Sequence, residues 1–269
     1  GAAGYRRDMP ESPVQQPPPV QKLRIRYAKR GRLRFTSHRD FGRAFERAVR
    51  RAGLPIAYSS GFSPHPRISY ANASPTGAAS EAEYLEIGVT RPCDPDDVRT
   101  ALDEALPPGL DILDVVVAGK GALSDRLEAG RWRITLTGIP VARARDAVGC
   151  FLARDAIEVT RMTKGGLRTF DCRSAVVSLS VLANTDSADE CAILDVVVRH
   201  GTPAVRPDDI LAGLRQVADL AASVPPLQSR IAQGPLDPET GHVGDPFGAD
   251  RDAAREELRP LTGRPDLPT

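Results

Sequence analysis

Cysteine is scarce in this chain of 269 residues, and its four copies lie far apart. The separations between Cys93, Cys150, Cys172 and Cys191 are 57, 22 and 19 residues. Zinc and iron–sulfur sites need closer pairs, and a disulfide framework needs a higher cysteine density. The sequence therefore predicts free thiols, no metal and no cofactor, in the reducing environment of the cytoplasm.

Long apolar runs and familiar catalytic motifs are also missing. The longest apolar runs, such as Val115–Ala118, are only a few residues long, whereas a membrane span needs roughly 20. Residues 1–20 lack the apolar core of a secretion signal. No Walker loop, nucleophile elbow, His-Glu-x-x-His motif or Rossmann glycine pattern occurs. The sequence thus predicts no membrane partner and indicates no common enzyme class.

Acidic residues are nearly absent from one stretch of the chain. Between Lys22 and Arg67 there are thirteen basic residues and two acidic ones, Asp40 and Glu46, which gives a local net charge of +11. Residues 68–130 carry twelve acidic and four basic residues, a local −8, so the net charge of +1 conceals strong segregation. Such segregation predicts a surface that binds a polyanion.

Composition divides the chain into four segments. Residues 1–20 hold five prolines and are predicted to form a disordered leader. Residues 21–120 and 121–223 are predicted to form two modules. From residue 224 to 269 the chain is rich in proline, glycine and aspartate, which predicts a tail with at most short structure.

The two modules show a similar order of predicted elements. The first has strands at 23–27, 56–58, 68–71, 84–89 and 110–117, an alternating segment continuing over Leu33 and Phe35, a helix from the N-cap Ser37 to Ala52, and a helix at 94–106. The second has strands at 132–137, 157–162 and 192–199, an extended stretch at 167–181, and helices at 141–153 and 207–220. Strand–helix–strand–strand–helix–strand is the ferredoxin-like order. We therefore predict an α+β fold of two tandem ferredoxin-like modules, although a final strand for the second is not evident.

Basic residues cluster on the first strand, the following turn and the first helix. The helix arginines recur at steps of three and four, so they share one stripe. We expect Arg43, Arg47 and Arg50 to be exposed and Phe41, Phe45 and Val49 to be buried. The alternative is an ordinary solvated helix face. The predicted nucleic-acid-binding residues of this region are Arg24, Arg26, Lys29, Arg30, Arg32, Arg34, Arg39, Arg43, Arg47 and Arg50.

Three loops supply further candidates. Residues 61–67 hold His65 between two prolines, so Phe62, His65 and Arg67 could stack a base and contact a phosphate. His65 and His38 are the candidate general acids or bases, although each could instead serve a turn or a helix start. The glycine pair at 165–166 is flanked by Lys164, Arg168 and Arg173, and residues 200–207 place Arg206 either in a groove between the modules or at a helix cap.

Several separate blocks carry a family resemblance. They are Lys29–Asp40, Gly61–Arg67, Ser80–Leu85, Thr169–Arg173 and Val205–Asp208. In these blocks the chain resembles the radical-SAM-associated uncharacterised domain family, whose members are fused to, or encoded beside, a radical-SAM enzyme. Because the Cys-x3-Cys-x2-Cys motif is missing here, the resemblance implies that such an enzyme would be a separately encoded partner.

Three functional hypotheses follow. The first is an accessory protein that binds RNA, either tRNA or rRNA, for the radical-SAM partner. The second is a metal-independent ribonuclease using His38 or His65, because the tandem plan is similar to that of the CRISPR repeat-processing endonucleases. The third is a protein-only adaptor whose acidic residues 68–130 contact the partner.

Overall fold

A computed structural model describes residues 12–13, 15–182 and 191–259. It shows a mixed α+β fold with a large, mostly antiparallel sheet, which confirms the predicted class. The helices of the described residues are α1 His38–Arg51, α2 Pro95–Ala105, α3 Val141–Leu152, α4 Pro207–Ala218 and α5 Gly248–Leu258. The strands are β1 Gln21–Lys29, β2 Ile68–Ala71, β3 Ala79–Val89, β4 Leu110–Val117, β5 Ala129–Thr137, β6 Glu158–Thr163, β7 Gly166–Asp171, β8 Val176–Leu182, β9 Cys191–Arg199 and β10 Leu227–Gly234.

Eight of these strands form one sheet. Along it the order is β4-β1-β3-β10-β5-β9-β8, and β2 pairs with β3. Neighbouring strands are antiparallel except β3 and β10, which pair in parallel at Ala79 and Ser80. The remaining strands, β6 and β7, form a separate hairpin. The parallel pairing joins a first half, β1–β4 with α1 and α2, to a second half, β5–β10 with α3 and α4.

Helix α1 has the predicted start and the predicted faces. The Ser37 side chain accepts a hydrogen bond of 3.0 Å from the backbone N–H of Asp40, as an N-cap does. Phe41, Phe45 and Val49 are buried, and the Phe41 ring stacks on Tyr27 of β1 at 4.1 Å. The arginines at 43, 47 and 50 are exposed. The expected burial pattern of α1 is therefore confirmed.

Two short segments differ from the sequence prediction. Residues Gly31–Phe35 form a 3₁₀ helix rather than an extended segment, because Gly31 has a φ of +56° and turns the chain away from β1. Residues 56–58 make only isolated bridges, Ile56 to Val89 and Tyr58 to Pro66. The chain enters the loop at Ser59, so these residues do not form a continuous strand paired with a neighbour.

The segment after residue 224 is part of the fold, so the prediction of a tail with at most short structure is wrong for residues 227–259. Strand β10 lies between β3 and β5 in the sheet, in a segment where the sequence predicted no strand. Helix α5 packs on β4, and Phe247 before it is fully buried. The buried positions of β10 include the polar residues Arg230 and Gln233, which form hydrogen bonds there. The strand therefore lacks the apolar pattern by which a buried strand is predicted from sequence. Residues 1–11 and 260–269, at the ends of the predicted leader and tail, lie outside the described residues.

Two apolar cores lie between the sheet and its helices. Leu23, Ile25 and Leu85 pack with α1 and α2 in the first half, and Ile134, Leu194 and Val196 pack with α3 and α4 in the second. The opposite face of the first half is covered by Leu123, Leu127 and Phe247. Among the described residues, no helix has the length and apolar character that a bilayer crossing requires.

Candidate polyanion-binding face and cleft

Helix α1 presents the arginine face, which we define as Arg39, Arg43, Arg47 and Arg50. All four side chains are exposed. None of them forms a salt bridge with any residue that the structure describes. Glu46 and Asp40 are the acidic residues of α1 itself. The positive charge of this face is therefore left largely unneutralised, as a surface for a polyanion requires.

Arg24 and Lys29 do not belong to this surface, which corrects their prediction as nucleic-acid-binding residues. The Arg24 side chain is 2% exposed and donates to Glu86 at 2.9 Å and to Asp250 at 2.8 Å. Lys29 is also buried, and burial lowers its pKa. Helix α5 and the chain around Gly121 cover the side of β1 that carries Arg24. Both segments are far from Arg24 in the sequence, so the alternation of residues along β1 could not predict this burial.

The neighbouring basic residues are only partly available. Arg26 is half-buried and donates to the carbonyl of Glu81. Arg30 forms salt bridges with Glu81 and Asp111, and its hydrogen bond to Glu81 raises the arginine's pKa. Two further arginines flank the turn: Arg34 stacks on Phe35 at 4.3 Å, and Arg32 is exposed. Of the predicted strand and turn arginines, Arg32 is the most open to a ligand.

The loop of residues 61–67 presents its candidates outward. Phe62 is 75% exposed, and the His65 and Arg67 side chains are exposed as well. The Ser59 backbone N–H donates to the His65 carbonyl at 2.8 Å, and the Ser59 hydroxyl accepts from the His65 N–H at 3.0 Å. Arg67 donates to the Tyr58 carbonyl at 3.3 Å. The loop is thus held by its backbone while its side chains face solvent.

A cleft of about 570 Å³ lies where the two halves meet. It brings together three predicted residues from distant segments: His38 at the start of α1, Lys164 in the β6–β7 turn, and Arg206 at the N-cap of α4. The other predicted loop residues are elsewhere: Arg168 is exposed on β7, Arg173 donates to the Val176 carbonyl, and His65 lies outside the cleft. The cleft is also lined by Asn72, Ser74, Thr76, Trp132, His200 and Arg230.

A buried ion pair lies at one side of the cleft, and its arginine lines the cleft. Glu83 of β3 and Arg230 of β10 are 1% and 3% exposed and form a salt bridge across the junction of the halves. Glu83 also accepts from the Ser74 backbone N–H at 3.0 Å, and Arg230 donates to the Asn72 carbonyl at 2.7 Å. The Arg230 guanidinium lies over the Trp132 ring at 5.4 Å. Its Nε has no hydrogen-bond partner among the described residues.

His200, just after β9, has a defined tautomer. Its Nδ1 lies 2.6 Å from the Leu127 carbonyl, which can only accept, so Nδ1 carries the proton. The Asn72 amide lies 3.3 Å from Nε2 and can donate to it. Burial lowers the pKa of His200, and the Arg230 charge acts in the same direction. A Cβ at Gly130 would lie 3.2 Å from Nε2, so a glycine there lets the ring approach β5.

The sequence analysis did not nominate His200 or Arg230. His200 belongs to the loop of residues 200–207, from which only Arg206 was nominated. A histidine directly after a predicted strand was the feature of the sequence that could have identified it. Arg230 lay in the segment predicted to be a tail. Within the described residues, no group of three histidine, cysteine, aspartate or glutamate side chains is placed to hold a metal ion.

The chain was compared with known families and curated proteins. Residues 22–207 match the family described as "Uncharacterized protein conserved in bacteria (DUF2344)". The chain belongs to the DUF2344 family. No curated protein matches it.

The DUF2344 match spans most of both halves of the sheet. It includes the whole arginine face and the cleft residues His38, Lys164, His200 and Arg206. Strand β10 with Arg230, and α5 with Asp250, follow the matched residues. The cleft of this DUF2344 protein is therefore built from matched residues on most sides and closed by a strand beyond the match.

The neutral state of His200 predicts a pH dependence of stability. Because the folded protein depresses the pKa of His200, the stability that the neutral ring contributes is present above its ordinary pKa of about 6.5 and lost as pH falls toward the folded value. We expect the unfolding free energy of the DUF2344 protein to decline between about pH 7.5 and pH 5, measured by urea denaturation.

His200→Asn should reduce that decline, because the side chain that resists protonation is gone. His65→Asn, at an exposed histidine, is the matched control and should follow the wild-type profile. If His200→Asn and the wild-type protein lose stability equally, His200 is not held neutral by the fold.

Proposed function

We propose that this protein is a cytoplasmic accessory protein that binds RNA on the arginine face and presents it to a separately encoded radical-SAM enzyme. The observation that carries the proposal is the set of four exposed arginines that form no salt bridge with the residues the structure describes. Like charges at four-residue spacing destabilise a helix by about 0.2–0.5 kcal/mol per pair. A helix with no ligand to bind gains nothing from this arrangement.

Arginine suits a phosphate backbone better than lysine does. Its planar guanidinium donates two parallel hydrogen bonds to a phosphate and stays charged at any physiological pH. The exposed ring of Phe62 and the nearby Arg67 add a surface on which an unpaired base could stack. These features favour RNA with single-stranded loops, such as tRNA or rRNA, as the ligand.

The radical-SAM partner in this proposal rests on the resemblance of the sequence blocks given above. These 269 residues contain no Cys-x3-Cys-x2-Cys motif, and we take the enzyme to be separately encoded. Acidic residues of α2, among them Asp96, Asp97 and Glu104, offer a surface of opposite charge that could contact it. If only this surface mattered, the protein would be an adaptor that binds no RNA.

We also propose that each half is a ferredoxin-like unit. The first half has the strand order β4-β1-β3-β2, and the second has β10-β5-β9-β8 with the β6–β7 hairpin inserted. In each half a helix follows the first strand and another precedes the last. This repetition supports the tandem interpretation, and it explains why the cleft lies at the junction of the units.

The proposal is tested by electrophoretic binding to total tRNA and to rRNA fragments at 50 and 200 mM salt. If four phosphates are contacted, the logarithm of the affinity should fall with a slope of about −3 to −4 against the logarithm of salt, or roughly 100-fold over this range. Absence of binding at 50 mM salt, or an affinity that does not depend on salt, would contradict it.

A second candidate function is a metal-independent ribonuclease. It is favoured by one observation: His38 and His200 line the same cleft as Arg230 and Lys164, and such catalysis needs a base and a cationic group near the scissile phosphate. RNA cleavage in EDTA that is lost in His38→Ala would support it. Cleavage that persists in His38→Ala/His65→Ala would remove both predicted catalytic histidines.

A further inference from the structure

We infer that the cleft between the two halves is a second ligand site, separate from the arginine face, and that it binds a nucleoside phosphate. The phosphate would lie against Arg230, Lys164 and Arg206. This inference goes beyond RNA binding by α1 and does not depend on it, because Arg230, Lys164 and Arg206 lie outside α1.

The first argument is the incomplete hydrogen bonding of Arg230. Its side chain is 97% buried, yet its Nε–H has no partner among the described residues. Its contacts with Glu83 and with the Asn72 carbonyl both use Nη2, so the guanidinium is only partly satisfied. A buried donor without a partner destabilises the site that holds it. Arg230 also lines the cleft, so its guanidinium is placed beside any anion that binds there.

The second argument is the charge of the lining. Arg230, Lys164 and Arg206 are cationic, whereas no aspartate or glutamate is among the described residues that line the cleft. Glu83 lies behind this wall and is already occupied by Arg230 and Ser74. Lys164 and Arg206 are exposed and form no salt bridge within the described ranges. The cleft therefore favours an anion of more than one negative charge.

The third argument is size and shape. A cleft of about 570 Å³ falls within the roughly 300–1,000 Å³ typical of sites for small organic ligands and is much larger than a phosphate ion needs. Apolar surface from Pro75, Val205 and Pro207 lies beside polar groups of Asn72, Ser74 and Thr76. Apolar walls with a few polar groups suit a base and a ribose attached to the phosphate.

The experiment uses the fact that Trp132 is the only tryptophan of the chain. Its ring lies in the cleft beneath Arg230, so its fluorescence reports on this site. The full-length protein is titrated with the four ribonucleoside 5′-monophosphates, with the nucleosides and with inorganic phosphate, and calorimetry is run in parallel. We expect a saturable change with at least one monophosphate, none with the nucleosides, and at least tenfold weaker binding of phosphate. No saturable response in either measurement, or equal affinity for phosphate and the monophosphates, would overturn the inference.

Variants identify the residues responsible. Lys164→Gln/Arg206→Gln changes two exposed side chains and should weaken monophosphate binding at least tenfold with the fold intact. Arg145→Gln/Arg154→Gln, on and just after α3, is the matched control and should bind normally. Unchanged monophosphate binding by the Lys164→Gln/Arg206→Gln variant would overturn the inference.

The arginine-face variant Arg43→Gln/Arg47→Gln separates this site from the proposed function. It should retain monophosphate binding, and a tenfold loss would overturn the independence of the two sites. Competition by short RNAs identifies the source of the ligand. Displacement by a 5′-phosphorylated RNA but not by its 5′-hydroxyl form would support an RNA end as the ligand, and no displacement by either would support a free nucleotide.

Discussion

The Arg43→Gln/Arg47→Gln variant is expected to bind RNA about 30-fold more weakly than the wild-type protein at 50 mM salt. Losing one charge-assisted phosphate contact costs about 1 kcal/mol at an exposed site, and two such losses give this factor. The slope of log affinity against log salt should become shallower by about two, one for each contact. The measurement is a salt series of electrophoretic or fluorescence-anisotropy titrations with the same RNA.

The same variant should keep its fold, because both arginines are exposed and form no salt bridges with described residues. Its unfolding free energy should stay within roughly 0.5 kcal/mol per site of the wild type. The control Arg145→Gln/Arg154→Gln removes the same charge from α3 and should leave RNA binding nearly unchanged. Unfolding of the arginine-face variant would mean that these arginines have structural partners. Normal folding with normal binding would move the binding surface to Arg67, Lys164 and Arg168.

Asp250→Asn should destabilise the protein by about 3 kcal/mol, since it removes one partner of a buried charge cluster. The Asp250 carboxylate is fully buried and accepts from Arg24 at 2.8 Å, from Arg126 at 2.7 Å and from the Gly119 N–H at 2.7 Å. Without its charge, Arg24, whose side chain is 2% exposed, keeps Glu86 as its remaining ionic partner among the described residues. Urea denaturation monitored by circular dichroism measures the loss.

Asp252→Asn is the matched control, because this carboxylate lies on the same helix α5 and is exposed. Its effect should be within about 0.5 kcal/mol. If the two variants are equally stable, α5 does not hold the sheet as described, and the segment after residue 234 contributes little to the fold.

Strong local patterns made part of the fold predictable. Helix α1 could be placed from its apolar spacing and from the N-cap Ser37, which accepts the expected backbone hydrogen bond. Helix α2, predicted at 94–106, could be placed from the acidic residues at its start, and it spans Pro95–Ala105. Strand β10 could not be placed, because its burial depends on Arg230 and Gln233 finding partners more than 140 residues away. A polar strand buried by distant hydrogen bonds has no periodic apolar signal.

The site was predictable in its parts but not in its assembly. His38, Lys164 and Arg206 were nominated in three separate motifs, and only the sheet topology brings them to one cleft. Alternation along β1 grouped Arg24 with Arg26, but it could not show that α5 buries Arg24 at a separation of 226 residues. On α1 the helical spacing alone was sufficient, because the exposed face of a surface helix is set locally.

The most direct test of the central claim is to purify the protein from its native cells after ultraviolet cross-linking. The bound RNA is then sequenced, and cross-linked peptides are mapped by mass spectrometry. RNA binding on the arginine face predicts cross-links in residues 38–51, with others in residues 61–67, and recovery of tRNA or rRNA. Purification without RNA, or cross-links confined to the acidic residues 94–114, would contradict it.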